Sequence, residues 1–173
     1  IEEGVPAGTI LNDGLLAGMN VVGQRFKNNE IFVPEVLIAA RAMNMGAALL
    51  KPLLASEGVK AAGKVCIGTV KGDLHDIGKN LVKMMLEARG FEVIDLGVDV
   101  APETFVQTAI EKDCAVICCS ALLTTTMPAL EATVAALKAA GKSYKIMVGG
   151  APINQQFADK VGADAYTPDA ATA

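Results

Sequence analysis

This 173-residue sequence contains no tryptophan, and aromatic residues make up only 4% of it, although 52% of its residues are hydrophobic. A core of small aliphatic side chains suits helices that pack closely against a parallel sheet. The sequence also has no cluster of lysine and arginine, and its net charge is −4. Nucleic-acid binding requires a basic face, so this composition argues against nucleic acid as a partner.

The chain is poor in residues that bind metals, with four cysteines and one histidine. The cysteines lie in or beside apolar, strand-like runs and lack C-x-x-C spacing. They cannot form a four-ligand zinc site together with one histidine. We interpret Cys66, Cys114, Cys118 and Cys119 as buried, reduced thiols, which are typical of the cytosol. No uninterrupted apolar run reaches the length of a membrane helix, so we expect a cytoplasmic protein without a membrane partner.

The first third of the sequence has helical periodicity. Apolar residues recur every three or four positions from about 9 to 28, and again from Pro34 to about 54. Pro34 suits the first turn of a helix, where its missing N–H has no consequence. The small, polar stretch that follows contains glycine and predicts a linker. We therefore assign 1–58 to a helical cap, 59–63 to a linker and 64–173 to an α/β domain.

Beyond the linker, apolar strand-like runs alternate with helical periodicity. This alternation predicts a doubly wound parallel sheet of the α/β class. The predicted strands are 64–70, 91–96, 115–119, 145–148 and 163–166.

The histidine occurs in the loop after the first predicted strand, in the sequence Asp73-Leu74-His75-Asp76-Ile77-Gly78. In open parallel sheets, ligands bind at the carboxyl ends of the strands, which is where this loop lies. Each residue also has an ordinary interpretation: Asp76 can cap the following helix, and a lone histidine in a polar loop is usually solvated. The combination is more informative, because Asp73 can accept a proton from the imidazole Nδ1 and leave Nε2 free for a metal. A metal with one protein ligand must bring its other ligands, as a haem or a corrin does.

Three motifs resemble those of cobalamin-binding domains, in the same order along the chain. Asp73 to Gly78 resembles the D-x-H-x-x-G signature, Ser120-Ala121-Leu122 with Thr124 resembles S-x-L-x-T, and Gly149-Gly150 resembles the paired glycines. The chain is similar to corrinoid methyl-carrier proteins of multi-component methyltransferase systems, and to the cobalamin-binding module of cobalamin-dependent methionine synthase. The resemblance implies a flavodoxin-like (Rossmann-like) five-stranded sheet of order 2-1-3-4-5. It also implies a partial four-helix-bundle cap, whose first two helices we expect to precede Ile1.

The resemblance also implies a role for each motif. His75 would replace the cofactor's dimethylbenzimidazole as the lower ligand of cobalt, Asp73 would hold the imidazole, and Ser120 would hold Asp73. The displaced nucleotide would enter a slot beside strands one, three and four. The implied cobalamin-binding residues are Gly72, Asp73, Leu74, His75, Asp76, Ile77, Gly78, Ser120, Leu122, Thr124, Gly149, Gly150 and Tyr166.

The cap should shield the upper face of the cofactor, which the resemblance implies in its methylcobalamin form. Candidate shielding residues are Met19, Phe32, Val33 and Leu37, although for each of them taken singly a place in the core of the bundle is the favoured interpretation. Ser120 and Thr124 could likewise serve in turns and helix caps, and Tyr166 could be a residue at the edge of the core.

The implied function is that of a methyl carrier, not a complete enzyme. It would bind cobalamin base-off and histidine-on, accept a methyl group from a substrate-specific methyltransferase and deliver it to a corrinoid:acceptor methyltransferase that charges tetrahydrofolate or a thiol. A reductive activator would be a further partner. The alternatives are the cobalamin-binding subunit of an adenosylcobalamin mutase, a cobalamin-dependent sensor, and a receiver domain. The helical cap argues against the mutase subunit, and the third strand ends in Cys119-Ser120 where a receiver domain would have an acidic phosphoacceptor.

Overall fold

The computed structural model describes residues 1–56, 61–170 and 172–173. The cap begins with α1 (Ala7–Thr9), a π-helical stretch (Ile10–Leu16) and α2 (Ala17–Lys27), and ends with α3 (Val33–Ser56). The α/β domain consists of β1 (Lys64–Thr69), α4 (Ile77–Glu87), β2 (Glu92–Asp95), α5 (Pro102–Glu111), β3 (Val116–Ser120), a 3₁₀ turn (Thr124–Thr126), α6 (Met127–Ala139), β4 (Lys145–Gly149), α7 (Gln155–Val161) and β5 (Ala165–Tyr166).

The five strands form one parallel sheet in the order β2-β1-β3-β4-β5, which confirms the predicted fold. In the register of this sheet, Thr69 lies opposite Ser120, and Ser120 lies opposite Gly149. The carboxyl ends of β1, β3 and β4 therefore meet at one edge. The loops that carry the three motifs begin at this edge.

Small residues allow the helices to pack closely on both faces of the sheet. One face is covered by α5 and α6, where Phe105 and Leu130 are fully buried. A Cβ on Gly68 would lie 2.8 Å from the ring of Phe105, so this glycine makes room for the aromatic side chain. The four cysteines are buried and free, as predicted. Burial raises the pKa of the Cys66 thiol to about 12, which keeps it protonated and unreactive.

The cap packs against α4 of the α/β domain. Met19, Ala40 and Met43 of the cap form an apolar cluster with Ala88, which caps the carboxyl end of α4, and Met84 packs against this cluster. The cap therefore lies beside the helix that follows the histidine loop. The predicted boundary between cap and domain falls partly on residues 57–60, which lie outside the described residues.

Helix α3 is long and apolar enough, by length and composition alone, to cross a membrane between Val33 and Leu54. Packing in the cap explains part of this apolar character, because Val36, Ala40, Met43 and Leu50 are buried. Other apolar side chains of α3 are exposed, namely Leu37, Ile38, Met45, Leu49 and Leu53.

Candidate functional site

The loop between β1 and α4 places His75 beside a buried carboxylate. The Nδ1 atom of His75 lies 2.7 Å from Oδ1 of Asp73, and the backbone N–H of His75 donates to the same oxygen at 3.1 Å. The side chain of Asp73 is fully buried, whereas that of His75 is 51% exposed. The hydroxyl of Thr69 donates to the backbone carbonyl of His75 at 2.8 Å and ties the loop to the end of β1.

The second oxygen of Asp73 accepts hydrogen bonds from the segment after β3. The N–H of Leu122 donates to Oδ2 at 2.7 Å, and the hydroxyl of Thr126 donates at 2.8 Å. Burial alone would raise the pKa of Asp73, but the hydrogen bonds from Leu122, His75 and Thr126 outweigh it and hold the pKa well below its usual range. An ionised Asp73 can only accept, so Nδ1 of His75 donates to it, and in the neutral imidazole the lone pair is then on Nε2.

Ser120 does not hold Asp73, contrary to the prediction. Ser120 is still part of β3, where its backbone pairs with neighbouring strands, whereas the 3₁₀ turn that ends at Thr126 brings a hydroxyl to the buried carboxylate. Thr126 is buried, and sequence reasoning missed it. It occurs in a run of three threonines before a helix, and no periodicity separates the buried one from its neighbours.

We expect Thr126→Val to lower the free energy of unfolding by about 1.5–3 kcal/mol, because it removes a hydrogen bond to a buried charge at nearly constant shape. Ser120→Ala, the matched control, should change it by less than about 0.5 kcal/mol. Urea unfolding of the two cofactor-free variants measures both values. A larger loss of unfolding free energy in Ser120→Ala than in Thr126→Val would contradict the finding that the hydroxyl of Thr126, and not that of Ser120, holds Asp73.

A cavity of about 670 Å³ opens at the same edge of the sheet. Its volume falls in the usual range for sites that bind small molecules and cofactors. Nine of the predicted binding residues line it: Leu74, His75, Asp76, Ile77, Gly78, Ser120, Leu122, Gly149 and Gly150. The cavity therefore connects all three motifs.

Four predicted binding residues lie outside the lining of this cavity. Gly72 and Asp73 belong to the layer that supports His75, and Thr124 is exposed in the 3₁₀ turn. Tyr166 packs against the main core of the sheet, in line with its interpretation as a residue at the edge of the core. The segment 167–170, which follows it, lines the cavity instead. The resemblance pointed to the end of β5, but only the course of the chain shows which residues face the cavity.

The paired glycines, Gly149 and Gly150, differ in whether their surroundings leave space for a side chain. Gly150 has a φ of +130°, and a Cβ there would overlap the backbone carbonyl oxygen of Ala121, so only glycine fits. A Cβ on Gly149 would lie 3.7 Å from the carbonyl oxygen of Thr167, which is an ordinary contact. A Cβ on Gly78 would meet no atom within 4 Å, so this glycine leaves the cavity open.

Exposed apolar side chains surround the imidazole. Leu74 is 72% exposed and Ile77 is 77% exposed, although both are large and hydrophobic, and Leu122 is exposed on the neighbouring loop. On the cap, Phe26 lines the cavity and Phe32 is exposed. Exposed apolar patches of this kind mark binding surfaces.

The predicted shielding residues have different positions in the cap. Met19 is buried in the apolar cluster between the cap and α4, so it belongs to the core and cannot shield a ligand. Phe32 and Leu37 are exposed, and Val33 is half-buried. Phe26 is one of the periodic apolar residues of the first predicted helical segment, and it lines the cavity together with His75.

The residues present fit a metal that carries most of its own ligands. Within 1–56, 61–170 and 172–173, no group of three or more His, Cys, Asp or Glu side chains could hold a metal ion. The site offers one imidazole nitrogen, an apolar rim and an adjacent cavity. A flat macrocycle with a side chain as large as a nucleotide matches this combination.

Comparison with known families gives an independent result. One family model described as a B12 binding domain matches residues 63–173, and a second model with the same description matches residues 1–51. The two matches together cover the α/β domain and most of the cap.

Relatives and solved structures agree with these matches. The chain is 42% identical to a corrinoid protein of Desulfitobacterium hafniense (strain Y51), covering 98% of this chain and 81% of the relative. It is 45% identical to dimethylamine corrinoid protein 3 of Methanosarcina acetivorans, covering 98% of this chain and 80% of the relative.

Among solved structures, it superposes on the methanol:cobalamin methyltransferase complex MtaBC of Methanosarcina barkeri with a TM-score of 0.89 and 33% identity, covering 99% of this chain and 66% of that chain. A cobalamin-binding protein of Desulfitobacterium hafniense DCB-2 superposes with a TM-score of 0.77 and 36% identity, covering 95% of this chain and 78% of that chain. The histidine beside a buried carboxylate, the adjoining cavity and these matches lead to one conclusion: the chain belongs to the B12-binding family, as a methyl-carrying corrinoid protein of a methyltransferase system.

Proposed function

We propose that this protein binds cobalamin base-off and histidine-on, with Nε2 of His75 as the lower ligand of cobalt. One observation carries the proposal: a half-exposed imidazole is fixed by a buried, ionised Asp73 and lies at the opening of a cavity of about 670 Å³. The hydrogen bond from Nδ1 sets the tautomer that a metal requires.

In this proposal, the protein's own residues orient the imidazole of His75, accommodate the nucleotide of the cofactor and shield the corrin from water. Leu122 and Thr126 hold Asp73, which holds His75. The cavity accommodates the dimethylbenzimidazole nucleotide that His75 displaces. Cobalamin supplies, when bound, a cobalt centre that can accept and release a methyl group. Phe26 and the exposed apolar residues around His75 exclude water from the corrin.

The partners in this proposal are two methyltransferases, one that loads the methyl group and one that unloads it. Relatives that are 44% to 46% identical are named dimethylamine and trimethylamine corrinoid proteins, and the MtaBC structure is a complex of a methanol:cobalamin methyltransferase. We propose a small methylated amine or methanol as the methyl source, and tetrahydrofolate or a thiol as the acceptor. We further propose that a reductive activator is a third partner and that the protein is cytoplasmic.

Reconstitution tests the cofactor part of this function. The cofactor-free protein is mixed with hydroxocobalamin and passed through a gel-filtration column, and the absorption spectrum of the protein peak is recorded. We expect bound corrinoid at one equivalent, with the spectrum of a corrinoid ligated by histidine. Elution without corrinoid, or with a spectrum that matches free base-on cobalamin, would contradict the proposal.

Substitutions of Gly78 test whether the nucleotide of cobalamin occupies the cavity. Gly78→Ala should stabilise the cofactor-free protein by about 0.5–1 kcal/mol, because alanine favours the helix and meets no neighbouring atom. Gly78→Leu should place a large side chain in the cavity and weaken cobalamin binding. It should leave the affinity for cobinamide, a corrinoid without the nucleotide, unchanged.

Gly18 provides the matched control, since a Cβ on this helical glycine of the cap would also meet no atom within 4 Å. Gly18→Leu should bind both corrinoids as the wild type does. Equal loss of cobalamin and cobinamide binding in Gly78→Leu would place the nucleotide outside the cavity.

A further inference from the structure

We propose that the segment Asp95–Val100, which connects β2 to α5, positions His75 by holding both ends of the histidine loop. Asp99 holds the start of the loop, and Asp95 holds its end through Lys79. Neither aspartate lines the cavity beside His75. They would act on the ligand only through the loop, as positioning residues.

Asp99 contacts the backbone on both sides of the peptide that joins Gly72 to Asp73. Its Oδ1 accepts a hydrogen bond from the N–H of Gly72 at 2.7 Å, and its own N–H donates to the carbonyl oxygen of Asp73 at 3.0 Å. Asp99 adopts the left-handed conformation, with a φ of +54°, which allows both contacts at once. The N–H of Val100 also donates to the carbonyl oxygen of Thr69 at 3.0 Å, so the segment is fixed to β1.

Asp95 holds the other end of the loop through an ion pair with a buried lysine. Nζ of Lys79, in the first turn of α4, lies 2.7 Å from Oδ1 of Asp95. The Lys79 residue is only 3% exposed, and its Nζ also donates to Oδ1 of Asn80 at 2.7 Å. Asp95 accepts a further hydrogen bond from the N–H of Gly97 at 2.9 Å and pairs with Lys83 at 3.2 Å. Removal of Asp95 would leave the buried ammonium group of Lys79 without this carboxylate, so the contact resists displacement.

These contacts bear on the imidazole because they hold the backbone on both sides of His75. The ring of His75 is half-exposed, and its Nδ1 atom pairs with Oδ1 of Asp73. The direction of Nε2 therefore depends on where the backbone of Asp73 and the first turn of α4 lie. A metal ligand must be held within about 0.5 Å of its productive position, and the contacts that do this lie outside the ligand itself.

Nuclear magnetic resonance of the cofactor-free protein tests this inference directly. His75 is the only histidine in the chain, so ¹⁵N-labelled histidine gives the ring signals of one residue. The wild type should show the Nδ1-protonated tautomer with sharp signals. Asp99→Gly keeps the left-handed backbone and removes the acceptor for Gly72, and Lys79→Met removes the buried ammonium group. Both should broaden the signals or mix the tautomers, and should slow methyl transfer more than they weaken cobalamin binding.

Two further variants separate positioning from general stability. Asp99→Asn retains the acceptor and the backbone conformation, so it should restore the wild-type signals. Asp164, near the opposite end of the sheet, resembles Asp95 in that it accepts from Lys145 at 2.8 Å and from the N–H of Ile146 at 2.9 Å. Asp164→Asn should lower stability but leave the His75 signals unchanged.

The inference is overturned if Asp99→Gly shows wild-type His75 signals, or if Asp164→Asn disturbs them to the same extent. Asp99→Gly keeps this test decisive even if Lys79→Met fails to fold. The inference rests on the proposed role of His75 as the ligand. The ring signals of the cofactor-free protein nevertheless report how His75 is positioned, whether or not His75 binds cobalt. A protein whose loop is positioned as described and which still binds no cobalamin would contradict the proposed function alone.

Discussion

A His75→Gly variant should still bind cobalamin but should transfer methyl groups at least about tenfold more slowly than the wild type, with no histidine-bound absorption spectrum. Affinity should fall less than rate, because the cavity of about 670 Å³ and the apolar rim remain. The rate should fall because the variant lacks the Nε2 atom that we propose as the ligand of cobalt. Stopped-flow measurement of methyl transfer, together with titration of binding, separates the two effects.

Chemical rescue provides the control for this variant. Glycine leaves the space of the imidazole ring open, so added imidazole should restore the histidine-like spectrum and part of the rate. Methylated benzimidazole is too large for the same space and should not. Equal rates in variant and wild type would show that His75 is not the ligand that matters for transfer.

An Asp73→Asn variant should lose at least about 2 kcal/mol of unfolding free energy in the cofactor-free protein, because buried donors that lose their acceptor cost about 1–3 kcal/mol each. The carboxylate accepts from His75 on one oxygen and from Leu122 and Thr126 on the other. An asparagine has a single oxygen, so its amide nitrogen must face one of these sets of donors. Urea unfolding followed by circular dichroism measures the loss.

Asp76 provides the matched control for Asp73, since it belongs to the same motif. It is exposed, and its Oδ2 accepts a hydrogen bond from the side chain of Asn80, another exposed residue, at 3.0 Å. Asp76→Asn should therefore change stability by less than about 0.5 kcal/mol. If Asp73→Asn were as stable as Asp76→Asn, the network around His75 would not be the buried support described above.

The sequence allowed the α/β domain to be predicted closely because its signals are local. The strands are short apolar runs bounded by glycine or polar residues, and the helices between them have clear periodicity. The strand order came from the resemblance, and the sheet confirms it. The contact between Asp73 and His75 was also predictable, because a separation of two residues allows the side chains to meet in a tight loop.

The parts that could not be predicted depend on contacts between distant residues. Ser120 was expected to hold Asp73, but Thr126 does so, and the two are separated by a 3₁₀ turn that has no distinctive sequence pattern. Met19 shares its helical stripe with Phe26, yet one lies in the core and the other at the cavity. Asp99 lies 27 positions after Gly72, and only the folded sheet brings them together.

The central claim is that His75 supplies the lower nitrogen ligand of cobalt, and isotope substitution tests it most directly. Because the chain has one histidine, protein can be prepared with ¹⁵N in histidine alone and loaded with unlabelled cobalamin. In the electron paramagnetic resonance spectrum of the cobalt(II) form, an axial ¹⁴N ligand splits each cobalt line into a triplet, and a ¹⁵N ligand splits it into a doublet. We predict that labelling converts the triplets into doublets. Triplets that persist after labelling would show that the cofactor's own base, and not His75, is bound to cobalt.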